Sequence, residues 1–191
     1  MSGVKTRVSL HDELTRHRPF NAHEARMVAR VLDFIDAHAD CFERSQRAGH
    51  VTGSAWVVDA TRGYALLTHH AKLGLWLQPG GHCDGDADVL RVALREVAEE
   101  SGLTVVRPLL GGAIFDVDAH AIPARRDEPA HVHYDIRYAL EADRSAPLRI
   151  SAESKDLRWV ALDRVAELNT DASVLRMVRK TALLGPREGR P

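Results

Sequence analysis

The hydrophobic period changes repeatedly along the chain between helical and strand spacing, and these changes constrain the fold more than any other feature of the sequence. Residues 10–45 repeat apolar side chains at helical spacing, with Asn21 as a candidate N-cap and Glu24 three residues later. From His50 onward, short apolar runs alternate with turn residues, as strands do. Residues 87–101 then return to the helical period, which predicts one amphipathic helix between two groups of strands.

This order of elements predicts an α+β fold with a mixed β-sheet, because a regular βαβ array would alternate strands and helices throughout. The turn or loop IPARRDEP separates two of the late strands, and two helices close the chain before a frayed tail. The expected strands are HVTGSAWVVDA, RGYALLTHH, LGLWLQP, LTVV, AIFDVDAH, HVHYDIRYAL and DLRWVAL, and the expected closing helices are LDRVAEL and DASVLRMVRKTALL. We expect residues 1–49 to form a helical extension and residues 50–185 to form the main domain.

Composition and charge narrow the classes of partner. The chain has 191 residues, is 45% hydrophobic and carries a formal net charge of -1, which argues against a nucleic-acid polymer or a membrane surface. The first residues lack the apolar segment of a signal peptide, and no apolar run reaches the length of a membrane span. Cys41 and Cys83 form no Cys-x-x-Cys pair, which suits a reducing compartment. We therefore expect a cytoplasmic protein with a small-molecule substrate.

Three carboxylates gather on one face of the central helix. Glu96, Glu99 and Glu100 are three and four positions apart, so their side chains lie together, and Arg95 precedes Glu99 by one turn. Carboxylates this close repel one another unless a cation lies between them, and oxygen ligands suit Mg²⁺ or Mn²⁺. Because Mg²⁺ often also binds phosphate oxygens, the face indicates a phosphate-bearing substrate. Considered alone, the helix has an alternative interpretation, in which its Glu-rich face only contacts solvent and binds no metal.

The boundaries and the buried side of this helix are also predicted. The loop GGHCDGDAD precedes it, and Asp86 is the expected N-cap. Gly102 is expected to end the helix, since glycine adopts the left-handed conformation of a C-terminal cap. The stripe expected to face the core consists of Leu90, Ala93, Leu94 and Val97.

The segment Gly80 to Leu103, GGHCDGDADVLRVALREVAEESGL, resembles the Nudix box. That pattern runs Gly, five residues, Glu, seven residues, then Arg-Glu-apolar-any-Glu-Glu-any-Gly-apolar. Gly81 opens it here and Arg95 begins its second half, in register through REVAEESGL. Ala87 departs from the pattern, since it stands where the family has glutamate. The flanks WLQPGG and DLRWVAL also fit, so the resemblance spans roughly residues 50–168.

The resemblance implies an α/β/α sandwich and an enzyme that hydrolyses a diphosphate linked to another group. It assigns catalytic roles to Glu96, as metal ligand or base, and to Arg95, which orients the glutamates. The ligands that it implies for Mg²⁺ (or Mn²⁺) are the carbonyl of Gly81 and the carboxylates of Glu96, Glu99 and Glu100. A nucleoside-diphosphate derivative is the implied substrate, and a homodimer is implied by analogy with other members. Asp86 and Asp88 are candidates to replace the missing glutamate.

Further site residues are suggested outside the second half of the box. His82 follows the glycine ligand and is a candidate contact for phosphate or metal. In HVHYDIRY, strand alternation places His131, His133, Asp135 and Arg137 on one face, which lines either the cleft or the solvent side of the sheet. Asp116, Asp118 and His120 alternate in the same way, and there the surface is favoured. Cys83 has no base beside it and is not expected to be a nucleophile, and Trp76 is expected in the core.

Two other functions compete with a hydrolase. A binding or sensor module would keep the fold without turnover, and Ala87 is the feature that favours it. Isopentenyl-diphosphate isomerase shares the fold, but that branch has a catalytic cysteine in a Cys-Gly-His run where this chain reads Gly80-Gly81-His82.

Overall fold

One central strand organises the sheet in the computed structural model, which describes residues 5–124, 129–152 and 154–185. Strand β1 (Gly49–Val58) is buried at every position. It pairs in parallel with β7 (His131–Ala142), from Gly49 opposite Val132 to Val58 opposite Glu141. Small and β-branched residues in VTGSAWVV allow this strand to be covered on both faces.

Antiparallel strands extend this parallel pair on both sides, so the sheet is mixed and the α+β prediction is confirmed. The other strands are β2 (Tyr64–His70), β3 (Trp76–Leu77), β4 (Gly80–His82), β5 (Val106–Pro108), β6 (Ile114–Ile122) and β8 (Ser154–Ala161). Strands β5 and β6 pair with β7, whereas β4 and β2 both pair with the edge of β1 that faces away from β7. Strands β3 and β8 flank β2.

Helices cover both faces of the sheet and give the α/β/α sandwich. They are α1 (Arg7–Arg16), α2 (Ala22–Ala37), α3 (Val89–Ser101) and α4 (Ala172–Lys180). Val51, Ala55 and Val57 of β1 point into a core shared with α1, α2 and α3. Trp56 and Val58 point the other way, into a core shared with α4. Burying the two faces of one strand against separate helices follows from the two-residue period of side chains.

The N-terminal region is two helices and not one helical stretch over 10–45. Pro19 lies in the break between α1 and α2, where its ring disfavours helical continuation. Asn21 caps α2 as predicted, since its side chain accepts from the Glu24 backbone N–H. The Glu24 side chain does not complete a capping box; its carboxylate accepts from the Phe20 backbone N–H at 2.6 Å and is fully buried.

The central helix begins later than predicted. Asp88 caps α3, and its side chain accepts from the Arg91 backbone N–H at 3.3 Å. The carboxylate of Asp86, the expected cap, instead accepts from the Asp88 backbone N–H and from the Arg91 guanidinium. Gly102 ends the helix with φ 74° as predicted. The buried side is rotated from the predicted stripe, because Leu90 and Leu94 are half-buried; it consists of Val89, Val92, Ala93, Val97 and Ser101.

The C-terminal half differs from the prediction in detail. Residues 103–105 are not strand, and β5 begins only at Val106. LDRVAEL forms a 3-10 helix over Leu162–Glu167, whereas the last predicted helix is α4 followed by a 3-10 turn, Thr181–Leu184. The centre of the predicted loop IPARRDEP, residues 125–128, and the tail beyond residue 185 lie outside the described residues. Within the described part, none of the helices has the length and apolar character needed to cross a bilayer.

Candidate active site

The acidic face of α3 lies against β4. Glu100 Oε1 accepts a hydrogen bond of 2.8 Å from the backbone N–H of Gly80. A Cβ atom on Gly81 would come within 2.5 Å of the Glu96 carboxylate, so a residue other than glycine there would displace it. Glu99 completes the face with a side chain that is 63% exposed. The three predicted carboxylates and the predicted glycine are therefore brought together at one edge of the sheet.

Arg95 joins the helix to the strand before it. Its guanidinium donates to the backbone carbonyl of His82 at 2.7 Å and to Glu96 Oε1 at 2.8 Å, and it lies 3.8 Å from a Glu99 oxygen. The hydrogen bond to Glu96 raises the pKa of Arg95. The Arg95 guanidinium is close to the Glu96 and Glu99 carboxylates, so its charge offsets their mutual repulsion.

Ala87 stands where the Nudix box has glutamate, and it packs next to helix α1. It is half-buried against the core, beside a cavity of about 10 Å³. The other residues that line this cavity are Lys5, Leu10, Glu13, Asp88, Val89 and Tyr138. A glutamate at this position would extend toward a cavity that Glu13 also lines, so two carboxylates would be brought close together. The candidates to replace it are engaged elsewhere, Asp86 with Arg91 and Asp88 as the helix cap.

The polar face of β7 does not lie on the solvent side of the sheet, because Asp135 and Arg137 are buried and His133 is half-buried. Asp135 is 2% exposed and accepts from Thr52 and Ser54 of β1, at 2.9 and 2.7 Å. It also accepts from Gln78, just before the box, at 3.3 Å, and from Arg137 at 2.7 Å. Asp135 therefore connects the two central strands to the segment that enters the box.

A buried ionic network continues from Asp135, and here the surface prediction for Asp116 and Asp118 was wrong. Asp116 is fully buried and Asp118 is 8% exposed, whereas His120 is exposed as predicted. Helix α4 covers this part of β6 and β7 and supplies two cations to Asp116, Arg176 at 2.7 Å and Lys180 at 2.9 Å. We call this set of side chains the buried ionic network; its members are Glu24, Asp116, Asp118, Asp135, Arg137, Arg176 and Lys180.

The charges of the network compensate one another. Burial alone would raise the pKa of Asp116, but the hydrogen bond from Arg176 and the charges of Arg137 and Lys180 lower it overall. Burial would likewise lower the pKa of Arg137, and the three aspartates around it raise it instead. One signal in the sequence pointed to this arrangement: Arg176 and Lys180 lie four residues apart, on the same side of α4 as the buried Val174 and Met177.

A cluster of five imidazoles lies at the end of the same sheet face. It comprises His50, His82, His120, His131 and His133, from four different strands, with ring centroids 4.9 to 5.5 Å apart in the contacting pairs. We call it the histidine cluster. Burial, reinforced by the neighbouring rings, lowers the pKa of His133 to about 2. His82, His131 and His133 were predicted as site residues; His50 was missed, because only the pairing of β1 with β7 places it opposite His133.

Cys83 and Trp76 are both buried. Cys83 is 1% exposed, and burial raises the pKa of its thiol well above the ordinary value, which does not suit a nucleophile. Trp76 is buried, with its ring stacked on His69 and under the Arg158 guanidinium, as expected for a core residue.

Comparisons with known proteins agree with this geometry. The family model of the NUDIX domain matches residues 49–180. A curated relative from Rattus norvegicus, bis(5'-nucleosyl)-tetraphosphatase [asymmetrical], is 29% identical over 113 residues, which cover 59% of this chain and 73% of the relative.

Solved structures show the same fold. A C. elegans Ap4A hydrolase in a binary complex superposes with a TM-score of 0.56 at 17% identity, over 70% of this chain and 95% of that one. RenU, a Nudix hydrolase from M. smegmatis, has a TM-score of 0.56 at 20% identity, over 74% of this chain and 91% of that one. Since the family match covers more than half of the chain and includes the whole acidic helix, this protein belongs to the NUDIX domain family and is a Nudix-type pyrophosphohydrolase.

Proposed function

We propose that this enzyme uses Mg²⁺ or Mn²⁺ to hydrolyse a phosphoanhydride bond in a nucleoside-diphosphate derivative. The observation that carries the proposal is the acidic face of α3, held against Gly80 and Gly81 with the pattern Arg-Glu-x-x-Glu-Glu intact. The similarity to a tetraphosphatase that acts on bis(5'-nucleosyl) compounds supports dinucleoside polyphosphates as the first substrates to test.

The residues fit a hard divalent cation. Glu96, Glu99 and Glu100 offer carboxylate oxygens, and Gly81 offers a backbone carbonyl, which are the donors that Mg²⁺ and Mn²⁺ prefer. The absence of a side chain at Gly81 leaves the Glu96 carboxylate room beside the strand. Because Glu99 is well exposed, a solvated phosphate has access to this edge.

In the proposed mechanism, each residue has a separate task. When bound, the metal ion would neutralise the diphosphate and lower the pKa of the attacking water. Glu99 and Glu100 would bind the ion, and Glu96 would either bind it or accept the proton of the water. Arg95 orients Glu96 by their hydrogen bond. Asp135 acts as a positioning residue, since it fixes Gln78 and Ser54 beside the start of the box.

Ala87 does not favour the sensor alternative. In this chain the side chain at position 87 makes an apolar contact with the core near α1, and the acidic face forms beside it.

We also propose that residues 1–49 are an extension of a Nudix domain at 50–185. We propose a cytoplasmic location, which suits the two free thiols. We further propose that the protein forms a homodimer, which light scattering would test.

The test is product release from a panel of nucleoside triphosphates, ADP-ribose, dinucleoside polyphosphates, nucleotide sugars and coenzymes. Each compound is assayed with Mg²⁺, with Mn²⁺ and with EDTA. Glu100→Gln is the active-site variant, and Glu167→Gln, an exposed glutamate paired with Arg164, is the matched control. We expect metal-dependent turnover that Glu100→Gln removes and Glu167→Gln retains. Turnover that persists in EDTA or in Glu100→Gln would contradict the proposal.

A further inference from the structure

The histidine cluster has a geometry that the proposed hydrolysis does not use. We propose that His50, His82 and His133 form a second metal site, which binds a transition metal of the Zn²⁺ type separately from the carboxylate site. One ring nitrogen of each residue lies within 4.8 Å of those of the other two. Tetrahedral Zn²⁺ with bonds of about 2.0–2.1 Å places its ligand nitrogens about 3.3 Å apart. The three nitrogens would therefore move closer together when an ion binds.

The backbone holds the three ligands in place. His50 and His133 lie opposite each other in the parallel ladder of β1 and β7. His82 lies opposite Thr52 in the antiparallel ladder of β1 and β4, two residues along β1 from His50. Ligands on three paired strands are more rigidly placed than ligands on loops, and this lowers the entropy lost when an ion binds.

A fourth histidine orients the site. The Nδ1 atom of His131 lies 2.9 Å from the Pro129 carbonyl, which only accepts hydrogen bonds, so Nδ1 carries the proton. With Nδ1 of His131 as the donor to this carbonyl, its Nε2 can accept a hydrogen bond, and it lies 3.2 Å from Nε2 of His133. The other nitrogen of His133 keeps its lone pair. Metal-binding histidines usually have a hydrogen-bond partner on their second ring nitrogen, and His131 is that partner for His133.

The chemistry of the cluster suits a transition metal. Imidazole nitrogens suit Zn²⁺, Cu²⁺, Ni²⁺ and Fe²⁺, whereas Mg²⁺ prefers oxygen. A lone buried histidine is ordinarily a core residue; three nitrogens that converge from three strands are not explained by packing alone.

The two metal sites lie on opposite faces of β4. A Cβ on Gly81 would point at Glu96, so the next side chain, His82, points away from α3. The sites therefore share no side-chain ligand, although Arg95 connects them through the His82 carbonyl and the Glu96 carboxylate. Three protein ligands leave one tetrahedral position for water or an exogenous ligand.

The test uses Co²⁺, whose visible absorption reports nitrogen ligands and tetrahedral geometry, on the full chain without a polyhistidine tag. After removal of metals with EDTA, we expect one equivalent of Co²⁺ to bind with a tetrahedral spectrum and to be displaced by Zn²⁺. His82→Gln and His133→Gln should each weaken binding by about 100-fold or more, since even the loss of a supporting residue costs 10- to 100-fold. His120→Gln, at the exposed rim of the cluster, and Glu100→Gln should leave it within about twofold.

Three results would overturn the proposal: no saturable binding of Co²⁺, binding that Glu100→Gln abolishes and the histidine variants keep, or binding of inorganic phosphate to the metal-free protein that the histidine variants abolish. The far-ultraviolet spectrum and melting temperature of each variant establish that it is folded, and the half-buried His82→Gln is the decisive variant if His133→Gln unfolds. Because the readout needs no substrate, its outcome is independent of the proposed hydrolysis.

Discussion

The acidic face of α3 and the buried ionic network are both rich in carboxylates, yet their surroundings differ. On α3, Glu96, Glu99 and Glu100 lie at a sheet edge, partly open to water, where Arg95 is the cation beside them and a backbone N–H binds Glu100. In the network, Asp116 is fully buried and pairs with Arg137, Arg176 and Lys180.

The difference separates the proposed cation site on α3 from a network whose cations are side chains of the protein itself. A buried carboxylate is tolerated only when opposite charges and hydrogen bonds compensate its desolvation, as the three cations do around Asp116. The α3 carboxylates are partly exposed to water, which lowers the cost of their desolvation. Mutations in the network should therefore lower stability, whereas mutations on α3 should lower activity.

The largest effect is expected from Arg137→Leu. This change leaves Asp116, Asp118 and Asp135 without their shared buried cation, and we expect it to lower the free energy of unfolding by about 3–5 kcal/mol. Urea denaturation measures the change. The control is Arg164→Leu, since Arg164 is exposed and paired only at the surface, for which we expect at most about 1 kcal/mol. Equal effects of the two variants would show that the buried network contributes no more to stability than a surface ion pair does.

The next effect is expected from Glu100→Gln, and it should appear in activity. We expect kcat to fall by about 100-fold or more, about 2.7 kcal/mol in the activation barrier, because a charged ligand is lost. The unfolding free energy should change by about 0.5 kcal/mol or less, since the amide oxygen can still accept from Gly80. Steady-state kinetics and urea denaturation on the same preparation measure both quantities. A large loss of stability would place Glu100 with the network.

A smaller effect is expected from Ala87→Glu, which restores the residue typical of the family. The cavity beside Ala87 is only about 10 Å³ and Glu13 lines it, so the added carboxylate is crowded and partly desolvated. We expect a loss of about 1–3 kcal/mol in the free energy of unfolding. Ala29→Glu, on the exposed side of α2, is the matched control and should change little. A gain in activity without this loss would show that α1 moves aside.

The smallest effect concerns acid pH. The pKa values of Asp116 and Glu24 are lowered from 3.8 and 4.5, because their cations and hydrogen-bond donors outweigh burial. A lowered pKa in the folded state contributes stability that is present above the unfolded pKa and is lost as pH falls through the folded one. Unfolding free energy should therefore decline as the pH is lowered from about 5. In Asp116→Asn the decline should be shallower; an unchanged slope would assign it to other carboxylates.

The sequence by itself determined the elements whose patterns are local. The spacing of Arg95, Glu96, Glu99 and Glu100 identified the box helix, and Gly102 marked its end, because both depend on neighbours within one or two turns. The alternation in β7 correctly grouped His133 with Asp135 and Arg137, since the two-residue period is a property of any strand.

Only the tertiary structure decided which of these faces is buried and by what. Asp116 looks like a surface residue until α4, sixty residues later in the chain, brings Arg176 and Lys180 over it. His50 joins the histidine cluster only through its register with His133. Ala87 becomes part of the packing only through its contact with the core near α1. Charge compensation, strand register and packing against distant helices join residues far apart in sequence, and no local pattern encodes such pairings.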